Sequence, residues 1–148
     1  MAELLEASGI RLGASAADRD DAIRQVGAVL VEIGAVDPAY VDGMLEREES
    51  VSTFVGEAVA IPHGTNAARE HVRRTALAVV QFPGGVDWGG QEVKLCVGIA
   101  AQGSEQVQIL SALARTLLDA EQAAQLREAS DPDTILRILT ATEEEAVQ

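Results

Sequence analysis

A chain of 148 residues with 47 % hydrophobic content is long enough to bury one substantial core without disulfides or a structural metal. Its net charge of −13 excludes a broad phosphate-binding face, so nucleic acid is not an expected partner. The single cysteine, Cys96, excludes an intramolecular disulfide framework, and no apolar run approaches the roughly 18 residues of a membrane span; with no basic-then-apolar leader, the expectation is a cytoplasmic protein without direct membrane insertion.

Ala22, Ile23, Val26, Val29, Leu30 and Ile33 recur at steps of three and four, which predicts an amphipathic helix capped by Asp18 and stopped at Gly34. Asp37-Pro38 then reads as an N-cap followed by proline at the first helical position. Val41, Met44 and Leu45 supply the buried face of this second helix, which ends near Glu49. A short apolar strand pattern in Gly56–Thr65 (GEAVAIPHGT) stops at Pro62-His63-Gly64. Proline cannot donate to a sheet ladder and belongs at a strand end, while glycine permits a tight backbone path beside the imidazole. His63 is thereby placed at the mouth of a sheet.

Thr75–Phe82 (TALAVVQF) and Val93–Ala101 (VKLCVGIAA) are near-continuous apolar runs and predict two adjacent buried strands. Pro83-Gly84-Gly85 and Gly89-Gly90 read as turns between them. Cys96 falls inside the second run and is expected to be an inert core residue. Beyond Gly103 the pattern returns to helix. Ser104 is an N-cap and Glu105 lies in the first turn, and Val107, Leu110, Leu113, Ala114, Leu117 and Leu118 follow. A shorter helix spans Glu121–Ala129, and Asp131-Pro132 repeats the cap-plus-proline signal before Ile135, Leu136 and Leu139. The Glu143-Glu144-Glu145 run is expected to fray. Buried strands between groups of amphipathic helices imply an α/β fold with helices on both faces of the sheet.

Charge is uneven along the chain. Between Pro62 and Gln81, Arg69, Arg73 and Arg74 stand against the single acid Glu70, so this segment either tolerates a phosphate or acidic partner or is simply solvated. His71 lies in it and is expected to be exposed. His63, His71 and Cys96 lack close metal-ligand spacing, and the glycine pairs lack the Lys-Ser/Thr of a nucleotide-binding loop, so neither a metal nor a cofactor is expected. Trp88 either packs against the sheet or faces a partner.

The run Tyr40–Glu48 (YVDGMLERE), then Thr53, then Gly56–Thr65, then Gly98–Ala101 (GIAA) and the helix opening at Ser104-Glu105 resembles the mannitol/fructose class of enzyme IIA. These are cytoplasmic phosphoryl carriers of the bacterial sugar phosphotransferase system, and PHGT with GIAA points to the mannitol-type branch. The resemblance implies a single domain over residues 1–148, with a core of about 4–139 and a mixed sheet flanked by helices. It implies that His63 accepts a phosphoryl group from the histidine-containing phosphocarrier protein and passes it to enzyme IIB, working with a membrane enzyme IIC, for uptake of mannitol or a related sugar. It sets an arginine, Arg47, near the phosphorylated imidazole. It also puts Gln106 where mannitol-type members commonly carry a second histidine.

The chemistry of these residue types agrees with such roles. Imidazole, with an ordinary pKa of roughly 6.5, is neutral enough to attack and also leaves readily, whereas a hydroxyl would hold the phosphoryl group too firmly. Transfer then depends on positioning and charge stabilisation. Arg47 offers a fork of donors, Thr53 a hydroxyl or a brace, Gln106 a neutral N–H, and the turn at Ser104 free backbone N–H groups if it converges on His63. Blander readings exist: Arg47 pairing with Glu46, Glu48 or Glu49, and Thr53 as a turn residue. For the whole chain the alternatives are a regulatory paralogue of the nitrogen-related type and a non-catalytic interaction domain. The phosphorylated nitrogen is open from spacing, although family precedent suggests Nε2.

Overall fold

Hydrophobic periodicity builds alternating layers around one sheet. The computed structural model describes residues 4–102 and 105–146, with side chains through residue 141. Five strands form the sheet: β1 (Ile10–Arg11), β2 (Phe54–Gly56), β3 (Val59–Ala60), β4 (Ala76–Trp88) and β5 (Gln91–Ala100). The helices are α1 (Arg19–Glu32), α2 (Ala39–Ser50), α3 (Glu105–Leu117), α4 (Ala120–Arg127) and α5 (Pro132–Ala146). Strand order is β1-β4-β5-β3-β2, with β1 parallel to β4 and β3 parallel to β5, while β4/β5 and β2/β3 are antiparallel. The expected mixed sheet with helices on both faces is therefore present.

Side chains alternate across a strand, and here both sides are buried. Ala76, Ala78, Val80, Phe82, Cys96 and Ala100 join Ile23, Val26, Leu30, Tyr40 and Met44 from α1 and α2. Leu77, Val79, Leu95, Val97 and Ile99 join Ile109, Leu113, Leu117, Leu126, Ile135 and Leu139 from α3, α4 and α5. This double burial explains why β4 and β5 read as continuous apolar runs.

The helix punctuation holds at three places. The Asp18 carboxylate accepts from Asp21 N at 2.8 Å, and that of Asp131 from Thr134 N at 2.8 Å. Gly34 (φ +76°) ends α1 in a paired carbonyl wrap, with Ala35 N donating to Leu30 O and Gly34 N to Val31 O, both at 3.0 Å. At Asp37-Pro38 the side-chain cap does not form. Pro38 is already helical and the Asp37 carboxylate pairs instead with Arg73, because a full positive charge is a stronger partner than a backbone N–H. Tyr40 N is satisfied by the Asp37 carbonyl at 2.9 Å.

Other expectations are corrected. Pro83-Gly84-Gly85 is no turn: β4 runs through it, with Gln81 pairing Leu95 and Val86 pairing Val93, so the intervening stretch bulges out of register. A bulge accommodates proline's missing N–H, and Gly85 takes φ +82° there. The reversal occurs only at Gly89-Gly90, both at positive φ. The strand into His63 is half of a hairpin whose turn places Glu57 and Ala58 at φ 53° and 59°, a conformation that sequence pattern does not signal without glycine. The backbone of Glu143–Glu145 continues α5 rather than fraying. Among the described residues no helix is long and apolar enough to cross a membrane.

Gln81 faces α4, and its amide nitrogen donates to Arg127 O at 3.0 Å and Ala129 O at 2.9 Å. It thereby satisfies carbonyls freed at the end of α4. Gln81→Leu is expected to lower unfolding free energy by ~1–3 kcal/mol, read as a shifted urea midpoint.

Candidate functional site

β3 is short, yet its line continues past the proline. Ile61 N donates to Thr53 O, and Pro62 O accepts from Ile99 N, both at 3.0 Å. His63 then pairs with Ile99 in an isolated parallel bridge. Proline contributes its carbonyl and needs no donor, so the histidine is delivered beside the end of β5. His63 is only 5 % exposed, less open than its place at a strand end suggests.

The ring nitrogens are differentiated by one contact. His63 Nδ1 lies 2.8 Å from Ile61 O. A carbonyl oxygen only accepts, so Nδ1 carries the proton in the neutral ring and the Nε2 lone pair is left for chemistry. Burial holds the His63 pKa below its ordinary value; the Ile61 hydrogen bond opposes this, the Arg47 charge adds to it and the Glu48 charge opposes it. The net effect is a neutral, nucleophilic imidazole at pH 7.

Gly64 is required by what lies behind it. A Cβ there would come within 2.6 Å of the Tyr40 ring. Gly64 N donates to the Tyr40 hydroxyl at 2.9 Å, and that hydroxyl donates to Ile99 O at 2.8 Å. One phenol therefore ties the residue after His63 to its β5 partner. Burial pushes the Tyr40 pKa up, which keeps the donor proton in place.

Arg47, near the end of α2, makes no ion pair with Glu46, Glu48 or Glu49, which lie one or two positions away and so do not face it on the helix. It donates instead to Val51 O at 2.6 Å. Thr53 is buried, and its hydroxyl donates to Glu48, so it braces the site rather than offering a free hydroxyl. Glu48 itself is a residue that sequence reasoning passed over as a possible surface partner of Arg47. It is 3 % exposed and also accepts from Trp88 Nε1 at 3.1 Å. The signal available was its place beside Arg47 on a helix whose buried face includes Met44. Trp88 thus packs inward.

Gln106 is half-buried in the first turn of α3, which opens just beyond the Ile99 end of β5. Ser104 lies outside the described residues. The basic segment is largely self-neutralised: Arg73 pairs with Asp37, Arg74 donates to Ile33 O at 2.7 Å and approaches Glu6 at 3.8 Å, and His71 is half-buried between Asp37 and Glu70. Arg69 differs in having a buried Nε without a partner. Cys96 is fully buried, and burial pushes its thiol far above the reactive range. Among the described residues no three His, Cys, Asp or Glu side chains converge as metal ligands.

Known proteins resemble this chain in sequence and fold. The mannitol-specific phosphotransferase enzyme IIA component of Halalkalibacterium halodurans is 40% identical over 136 residues, covering 92% of this chain and 94% of that protein. The multiphosphoryl transfer protein of Escherichia coli O157:H7 is 43% identical over 136 residues; the match covers 91% of this chain but 36% of that longer protein. The structure of a complex of enzyme IIAMTL and phosphorylated enzyme IIBMTL from Escherichia coli contains a chain that superposes with a TM-score of 0.86 at 36% identity, covering 93% of this chain and 97% of that one. The family described as phosphoenolpyruvate-dependent sugar phosphotransferase system, EIIA 2, matches residues 3–142, and the chain belongs to it.

Proposed function

We propose that the protein is a cytoplasmic phosphoryl carrier of the mannitol branch of the phosphotransferase system. His63 Nε2 attacks the phosphorus of the phosphorylated histidine-containing phosphocarrier protein. The new N–P bond forms as the donor's N–P bond breaks, and that electron pair returns to the donor imidazole. The phosphoryl group then passes to enzyme IIB, which serves a membrane enzyme IIC in the uptake of mannitol or a related sugar. The observation that carries this reading is the engagement of Nδ1 by the Ile61 carbonyl, which leaves Nε2 as the only nucleophilic nitrogen of a buried neutral ring. The mannitol-named relatives support the sugar. The test is incubation with phosphoenolpyruvate, enzyme I and the phosphocarrier: absence of label on His63 rejects the proposal.

Arg47 serves as the charge that meets the phosphoryl oxygens, a planar fork suited to bidentate contact. Arg47→Ala is expected to slow transfer by about 10²-fold, or ~2.7 kcal/mol, and Arg47→Lys to recover only part of it, since the point charge returns without the fork. Initial rates of labelled transfer check both. Gln106 contributes a neutral N–H to a phosphoryl oxygen, and an unchanged rate in Gln106→Ala removes it from the site.

A further inference from the structure

We propose that Glu48 is a positioning residue for phosphoryl transfer: its buried carboxylate grips Thr53, Thr53 holds Ile61, and the Ile61 carbonyl fixes the imidazole of His63 with Nε2 free. The proposal rests on the carrier reading above, for which that nitrogen must be the nucleophile. The chain of contacts is unbroken. Glu48 accepts from Thr53 N at 2.8 Å, from the Thr53 hydroxyl and from Trp88 Nε1 at 3.1 Å. Thr53 O accepts from Ile61 N at 3.0 Å, and Ile61 O accepts from His63 Nδ1 at 2.8 Å.

A carboxylate is a costly group to bury, and here the cost is offset by three buried donors, Thr53 N, the Thr53 hydroxyl and Trp88 Nε1. What the carboxylate adds is direction. Both of its oxygens are committed, one to the Thr53 hydroxyl and the other to Thr53 N and Trp88 Nε1, so the 51–53 segment has one position rather than several. Arg47 closes the same segment from the other side through Val51 O at 2.6 Å. Neighbouring residues of one helix thus clamp the segment whose last carbonyl sets Ile61. Should Ile61 shift, its carbonyl no longer selects the Nδ1–H tautomer, and the ring divides its population between a reactive and an unreactive form. The charges bearing on the ring are those of Arg47 and Glu48, of opposite sign.

The experiment compares the wild type with Glu48→Gln, Thr53→Val and Thr53→Ser. Nitrogen-15 NMR of the His63 ring reads tautomer and titration midpoint, and labelled phosphoryl uptake reads rate. The wild type is expected to show Nδ1–H alone. Glu48→Gln is expected to give a tautomer mixture, a lower titration midpoint because a charge that favours imidazolium is gone, and uptake slowed about 10- to 100-fold. Thr53→Val moves tautomer and rate the same way by less, and Thr53→Ser restores both. A folded Glu48→Gln protein with wild-type tautomer and uptake overturns the proposal. If that variant does not fold, identical tautomers and rates in Thr53→Val, Thr53→Ser and wild type overturn it instead. A wild-type protein that takes no label sinks the carrier reading, while the ring spectra still decide whether Glu48 positions His63.

Discussion

His63→Gln is expected to abolish phosphoryl uptake from the phosphocarrier while leaving a cooperative unfolding transition. The carboxamide is near the imidazole in size and keeps an N–H for the Ile61 carbonyl, which His63 Nδ1 reaches at 2.8 Å. It offers no nucleophilic nitrogen. Labelled uptake and urea unfolding of the same preparation separate the two effects. The chain has 2 histidines, so label that survives in H63Q and vanishes in H71Q would move the site. The same residue predicts a pH dependence. The folded His63 pKa lies below its unfolded value of about 6.5. The unfolded chain therefore binds the proton first as pH falls. The stability tied to the neutral ring is complete above about pH 6.5 and is lost as pH drops through the folded pKa. In H63Q this acid loss is expected to be smaller, which unfolding midpoints between pH 7 and pH 5 would reveal.

Gly64→Ala is expected to have the second large effect. The added methyl would sit 2.6 and 2.8 Å from two Tyr40 ring carbons and 3.2 Å from Ala68 Cβ, all in a closely packed layer. Relief requires Tyr40 to move, and with it the hydroxyl that holds Gly64 N and Ile99 O. Overpacking costs ~1–3 kcal/mol, and phosphoryl uptake is expected to fall with it because the residue after His63 loses its anchor. Tyr40→Phe removes the hydroxyl alone and strands a buried N–H and carbonyl, at a cost of ~1–3 kcal/mol. The double variant is expected to lose less than the sum, since displacement of Tyr40 already breaks the bonds that Phe lacks. Additive urea midpoints would show that the phenol does not connect the two segments.

Which local signals survived folding depended on their competitors. Asp131-Pro132 capped α5 because its carboxylate had Thr134 N and hydroxyl within reach. Asp37-Pro38, the same dipeptide, lost its cap to Arg73, a residue far along the chain. Pro83-Gly84-Gly85 carries every mark of a turn, yet β5 continued to offer partners on the far side and the segment bulged instead. Periodicity is a property of one segment and was legible; competition between segments was not.

The family, the α/β layering and the place of His63 at a strand end followed from sequence alone, because motif order and hydrophobic spacing depend only on neighbours in the chain. The tertiary structure decided which imidazole nitrogen is free, why residue 64 must lack a side chain, and that Glu48 and Thr53 stand behind the site. Those outcomes rest on contacts such as Tyr40 with Gly64 and Ile99, 24 and 59 residues away. Hydrogen-bond direction between segments so distant is set when the layers close on one another, and no spacing rule within a single segment encodes it.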